Sequence, residues 1–188
     1  MNAIRNFQVA RWVTLFLALL VLMLGGFKVD VLAVGMRTEV AADNDVFLPV
    51  VTKSELDFEQ QVVVLTNQAR ISNGCNPVMV DYRLQAAAEG HSQDMAVRDY
   101  FDHFAPDGTS PWDRIRAQGY SYSLAGENVA AGYSSPESVV AGWMASAGHR
   151  ANILNCGFVH IGVGYYFLRH DTGNVNYNHY WTQVFASP

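Results

Sequence analysis

The hydrophobic period of this chain changes partway along it, which limits the folds open to it. From Ser54 to about Leu154 apolar residues recur mainly at helical spacing, and from Phe158 onward they read as strand. Phe58, Val62, Leu65 and Ala69 share one helical face, with Ser54 and Asp57 spaced as a capping box and Asn73-Gly74 as the stop. Asp81 predicts the N-cap of a second helix with the stripe Leu84, Ala87 or Ala88, His91 and Met95, ending near Tyr100. Ser110-Pro111 and Ser135-Pro136 each carry the N-cap and proline-first pattern of a helix start. Gly119 ends the first of these and Gly148 the second, so that His149 opens a short helix through Leu154. Then Phe158 to Leu168 is β-branched and aromatic, Tyr180 to Ala186 alternates, Asp171-Thr-Gly-Asn174 turns between them, and Glu127 to Ala131 adds a further strand. Helices first and strands last predict an α+β domain. Gly162-Val-Gly164 lies inside a strand and opens no helix, so it is no phosphate loop.

At 188 residues the chain holds one domain of ordinary size plus an N-terminal extension. Arg5 and Arg11 precede an apolar run from Val13 to Phe27, closed by Lys28 and Asp30. The run is shorter than the roughly 20 residues of a bilayer span and suits a secretory signal peptide. Cleavage is expected after Ala33 or after Ala42, so residues 1–33 read as signal peptide, 34–53 as linker and 54–188 as the domain. The alternative is an uncleaved N-terminal membrane anchor with the domain outside. Loss of residues 1–33 removes three of the 12 basic and one of the 17 acidic residues, leaving more acid than base. Such a balance supplies no basic patch for nucleic acid or for anionic membrane surfaces.

Cys75 and Cys156 are an even pair in a chain expected to be exported, which reads as one disulfide, with two buried free thiols as the alternative. His91 lies on a helical apolar stripe and reads as a core histidine bonded to backbone or carboxylate. His160, His170 and His179 read as surface or packing residues. His103, Glu127 and His149 differ from these: each stands in a short glycine-punctuated context at the end or start of an element, where side chains can face a shared cleft.

In order, Leu65-Thr-Asn-Gln-Ala-Arg70, Ala88-Glu-Gly-His-Ser-Gln-Asp-Met95, Tyr100-Phe-Asp-His-Phe104, Ala125-Gly-Glu-Asn-Val-Ala130, the run from Ala141 to Asn155, Ile161-Gly-Val-Gly164 and Tyr180-Trp-Thr-Gln-Val-Phe185 resemble the bacterial branch of the CAP superfamily. This is the SCP domain shared by cysteine-rich secretory proteins, antigen 5 and plant pathogenesis-related proteins. The resemblance implies a three-layer α-β-α sandwich around a small antiparallel sheet. It also implies a cleft lined by two histidines and two acids, the histidines able to hold a divalent metal such as zinc.

By position, His103 and His149 match the two histidines and Glu127 matches one acid, the residue that would be catalytic in an enzyme. The second acid belongs three residues after Trp143, where this chain has Ser146; Glu137 is several residues off and is no substitute. Two histidines alone bind zinc weakly, since a hydrolytic centre takes three protein ligands. Glu127 could be a third ligand, a partner fixing an imidazole tautomer, or a general base. The expected function is a monomeric, exported binding module for an extracellular small molecule, lipid or cell-envelope component. The alternatives are a metal-dependent hydrolase of peptides or cell-wall polymers, or a structural surface domain with a vestigial site.

Overall fold

A computed structural model describes residues 28–32, 37–41 and 56–188, with side chains from 56 onward. The backbone divides into two units, 1–52 and 53–188. In the first, β1 (Lys28–Leu32) and β2 (Arg37–Ala41) pair antiparallel, Lys28 opposite Ala41. The expected leader run Val13 to Phe27, both cleavage positions and Ser54 lie outside the described residues. Among the described residues no helix is long and apolar enough to cross a membrane.

In the second unit, α1 (Phe58–Ser72) begins at Asp57, whose carboxylate accepts the Gln60 N–H at 2.7 Å while the Gln60 side chain accepts the Asp57 N–H at 3.2 Å. Asp57 is thus the N-cap, three residues beyond the expected Ser54, because Gln60 stands where it closes the reciprocal box. Next come β3 (Met79–Val80) and α2 (Tyr82–Val97), capped by Asp81 and burying Leu84, Ala87, Ala88, His91 and Met95 as the pattern predicts. Helix α2 stops before Tyr100 because Asp99 adopts φ 59° and turns its carboxylate to the N–H groups of Asn174 and Val175, at 2.9 and 2.8 Å.

Helix α3 (Pro111–Ala117) and α4 (Pro136–Ala145) start at Ser110 and Ser135, each with proline at the first helical position. The break after α4 falls at Ser146, not Gly148 as expected: Ser146 takes an extended backbone, and α5 (Ala147–Ile153) carries both Gly148 and His149 inside it. Strands β4 (Leu124–Ala131), β5 (His160–Phe167) and β6 (His179–Ser187) complete the chain.

The sheet order is β3-β5-β6-β4. The three long strands pair antiparallel as expected, while the two-residue β3, which no sequence pattern indicated, runs parallel to β5. Alternation divides the strands between two cores. On one face Ala130, Ile161, Val163, Trp181 and Phe185 pack with Val62 of α1, Val139 and Trp143 of α4 and Ile153 of α5. On the other, Val129, Tyr180, Val184 and Ala186 pack with Leu84, Ala88 and Met95 of α2 and Ile115 of α3. The domain is therefore the three-layer α-β-α sandwich, with α1, α4 and α5 on one side and α2 and α3 on the other. Gly162 and Gly164 let α2 lie on β5, since a Cβ there would come within 2.1 Å of the Leu84 carbonyl carbon or 2.3 Å of that of Ala88.

Candidate functional site

The site lies along β4, the outer strand of the sheet, where residues from both helical layers meet it. Glu127 projects into the α2–α3 layer with its side chain only 2% exposed. A carboxylate so removed from water needs donors on both oxygens, and it has them. His103 Nδ1 lies 2.8 Å from Oε1, and Arg114 Nη2 donates to Oε2 at 2.9 Å. The same Arg114 nitrogen donates to the backbone oxygen of His103 at 2.8 Å, so one guanidinium holds both the acid and the loop that brings the histidine to it. Behind this loop, the buried His91 has its Nε2 3.0 Å from the backbone oxygen of Asp102. A carbonyl only accepts, so His91 donates from Nε2; it is the core histidine bonded to backbone that its stripe predicts, and burial pushes its pKa down to about 4.

His149 arrives from the opposite layer. Helix α5 is fastened to β4 by two asparagines: Asn128 donates to the His149 backbone oxygen at 3.2 Å, and Asn152 donates to the Glu127 backbone oxygen at 3.1 Å and to the Asn128 side chain at 2.8 Å. Asn128 also donates to Gln183 of β6 at 3.0 Å, and Gln183 to Thr66 of α1 at 2.8 Å. This chain of amides is fully buried at Asn128, Gln183 and Thr66, and no buried side-chain polar atom among the described residues lacks a partner. A satisfied network of this kind fixes one arrangement of the layers it joins.

The electrostatics separate the two imidazoles. The hydrogen bond to Glu127, and then its charge against partial burial, raises the His103 pKa. Burial, and then the positive charge of His103, lowers that of His149. Donation from Nδ1 to Glu127 leaves Nε2 of neutral His103 as the nitrogen with a free lone pair. Among the described residues the His149 ring has no hydrogen bond, and no three histidine, cysteine or acidic side chains stand together to share one ion. Ser146, in place of a second acid, joins α4 to α5 and its hydroxyl makes no cap bond. Glu137 lies in the first turn of α4.

Cys75 and Cys156 are bonded, with Cα atoms 4.9 Å apart. Beside them the fully buried Arg70 donates to the backbone oxygens of Asn76, Ile153, Asn155 and Phe158 at 2.8 to 3.1 Å, binding the same two loops. His160 and His179 serve packing, their Nδ1 atoms bonded to the hydroxyls of Tyr120 and Tyr165.

Sequence reading offered Asn128, with Glu127, as an anchor bonded to backbone, and Asn128 does hold the His149 backbone oxygen; it did not single out Arg114, Asn152, Gln183, Thr66 or Arg70. All but Arg114 stand inside the motif blocks quoted above, so uncharged or basic polar residues embedded in an apolar block were the available signal. Arg114 had none beyond its helical position.

A family model described as the cysteine-rich secretory protein family matches residues 63–185. YkwD of Bacillus subtilis (strain 168) is 46% identical over 128 residues, which is 68% of this chain and 46% of that protein. The membrane protein YlbC of the same organism is 36% identical over 112 residues, 60% of this chain and 32% of that one. The chain thus spans less than half the length of these curated relatives. Among solved structures, an extracellular protein containing an SCP domain from Bacillus anthracis superposes with a TM-score of 0.61 at 32% identity, covering 75% of this chain and 45% of that one. An outer surface protein of Borrelia burgdorferi, 20% identical with a TM-score of 0.58 over 70% of this chain and 96% of its own, shares the fold. The matched stretch runs from within α1 to within β6 and so contains every element that builds the site; the chain belongs to the cysteine-rich secretory protein, or CAP, family.

Proposed function

We propose that this chain is an exported binding module whose cleft at β4 presents the imidazoles of His103 and His149 to a ligand, and that it does not hydrolyse its ligand. The observation that carries this reading is the double engagement of Glu127, by His103 on one oxygen and Arg114 on the other. A carboxylate spent in this way orients an imidazole and is not available to take a proton from water. Where the resemblance places a second acid, this chain has Ser146. Export is supported by the apolar run behind Arg5 and Arg11, by the disulfide, and by the extracellular assignment of the Bacillus anthracis relative.

The donor set bears on the metal that the family implies. His103 Nε2 and a nitrogen of His149 are two neutral donors, with Glu127 behind the first in the usual carboxylate–histidine order. They fit a loosely held divalent ion such as zinc completed by water or by the ligand, and fall short of the three protein ligands of a hydrolytic centre. When bound, the ion would supply Lewis acidity toward an oxygen of the ligand.

Zinc titration calorimetry on the full chain tests the reading. His103→Ala/His149→Ala should abolish binding with the circular dichroism spectrum retained, and Glu127→Gln should weaken it about 10- to 100-fold. Undiminished zinc affinity in the double variant overturns the assignment of the two histidines.

A further inference from the structure

His91 sits on an otherwise apolar stripe of α2, with Ala87, Ala88 and Met95, and is 1% exposed. A leucine would fill that stripe without the cost of burying a polar ring. What the imidazole adds is a donor, Nε2, on the Asp102 backbone oxygen at 3.0 Å. Its Nδ1 has only a longer contact, 3.4 Å, with the Tyr100 hydroxyl, which donates its proton to Asp94 Oδ2. The firm bond of this buried ring is therefore the one to the residue that precedes His103.

The loop around His103 takes little support from packing. Its apolar flanks face water, Phe101 at 40% and Phe104 at 54% exposure, and among the described residues only Phe101 has a ring partner, Tyr177. Polar groups behind the loop hold it instead. His91 donates to the Asp102 carbonyl, and Arg114, its side chain 12% exposed, donates at 2.8 Å to the next one, that of His103. Two consecutive peptide units are thus fixed from behind, by a residue of α2 and a residue of α3, while Glu127 takes Nδ1 of the ring itself. Asp102 adds a local tie, its Oδ1 accepting the Phe104 N–H at 2.9 Å. A side chain that presents a lone pair from a loop keeps its aim only when its support is itself fixed. We propose that His91 is a positioning residue for His103: through the Asp102 carbonyl it sets the direction in which the loop offers Nε2 of that ring to the cleft. The inference rests on the proposed reading of His103 as a presenting imidazole, and extends the site inward to a side chain that never meets the ligand.

The test compares His91→Leu, which keeps the stripe apolar and deletes the donor, with His91→Gln, whose amide reaches the position of Nε2. Zinc titration calorimetry on the full chain should show binding weakened about tenfold or more in the leucine variant, and held within about threefold in the glutamine variant. Imidazole nitrogen chemical shifts, recorded without zinc at a pH where His103 is neutral, give a second readout. The native ring should carry its proton on Nδ1, against Glu127. In His91→Leu the proton should spread over Nδ1 and Nε2 as the ring swings off that carboxylate. Where the leucine variant does not fold, His91→Asn supplies the same contrast, with an amide too short to reach Asp102. Val62→Ala opens the core on the other face of the sheet and lowers stability without touching the loop, so both readouts should keep their native values. An unchanged His103 spectrum in His91→Leu overturns the proposal, as does unchanged zinc affinity or a loss that Val62→Ala shares. If the native chain binds no zinc, the histidine assignment fails, and the ring spectra still decide the role of His91.

Discussion

Replacing Arg114 with methionine keeps most of the side-chain volume and removes the guanidinium that neutralises Glu127. The pair is removed from water, with side-chain exposures of 12% for Arg114 and 2% for Glu127. A buried carboxylate that loses its charged partner typically costs about 3–5 kcal/mol, most of it the penalty on the charge left behind. His103 remains bonded to Oε1, so Arg114→Met should fall at the lower end, about 3 kcal/mol, in urea unfolding with an unchanged m-value. Adding Glu127→Met removes the stranded charge and should recover much of this, giving a coupling of about 2 kcal/mol in the double-mutant cycle. Arg98→Met is the control. Its bonds to Asp94 and Asp107, at 3.3 and 2.8 Å, lie at the surface where solvent screens them, so this substitution should cost much less than Arg114→Met. Arg114→Met no worse than Arg98→Met, or a double variant as unstable as the sum of the singles, would show that Glu127 does not depend on this guanidinium.

The depressed pKa of His91, about 4 when folded against 6.5, means that the unfolded chain binds the extra proton between those values. Stability from this group is thus complete above about pH 6.5 and is lost as pH falls toward 4, by about 3 kcal/mol in all. His91→Gln should flatten that part of the stability–pH curve, and an unchanged slope in chemical denaturation would count against a neutral buried ring. The raised pKa of His103 acts in the opposite sense, at pH values above 6.5, so the two windows do not overlap. Gly164→Ala would place a Cβ 2.3 Å from the Ala88 carbonyl carbon, where ordinary contact begins near 3.4 Å, and should cost about 1–3 kcal/mol or more as α2 is pushed off β5. Gly148→Ala meets nothing within 4 Å and should instead stabilise α5 slightly in thermal unfolding.

What the sequence made legible was local. The apolar stripe of α2, the caps at Asp81, Ser110 and Ser135 and the pairing of two cysteines all rest on neighbouring residues or simple arithmetic, and the fold contains each of them. The α4–α5 break was misplaced because Gly148 is a stronger written signal than an extended serine, yet Ser146 is where the backbone leaves the helix. Gly162-Val-Gly164 was rightly denied a phosphate-loop role, but its purpose, the close crossing of α2, depends on a helix some 75 residues earlier in the chain. Arg114 meets Glu127 across only 13 residues but from a different element, and the amide chain joins Gln183 to Thr66 across 117. Their contexts marked His103 and Glu127 as candidates for one cleft and the resemblance gave them roles, but nothing local says that a loop histidine and a strand acid 24 residues apart will touch.

Two side chains from the helices lie against the outer edge of β4. Trp143 Nε1 donates to the Val129 backbone oxygen at 3.2 Å and Asn152 Nδ2 to that of Glu127 at 3.1 Å, so side chains occupy positions where an incoming strand would pair. At the opposite margin the sheet ends in β3, only two residues long. A four-stranded sheet with one plugged border and one stub offers little template for templated growth, the route by which exposed borders seed fibrils. The residues that hold α4 and α5 on β4 are thereby also a guard against strand-mediated aggregation, and weakening Trp143 or Asn152 would open the sheet to its own copies as well as loosen the site.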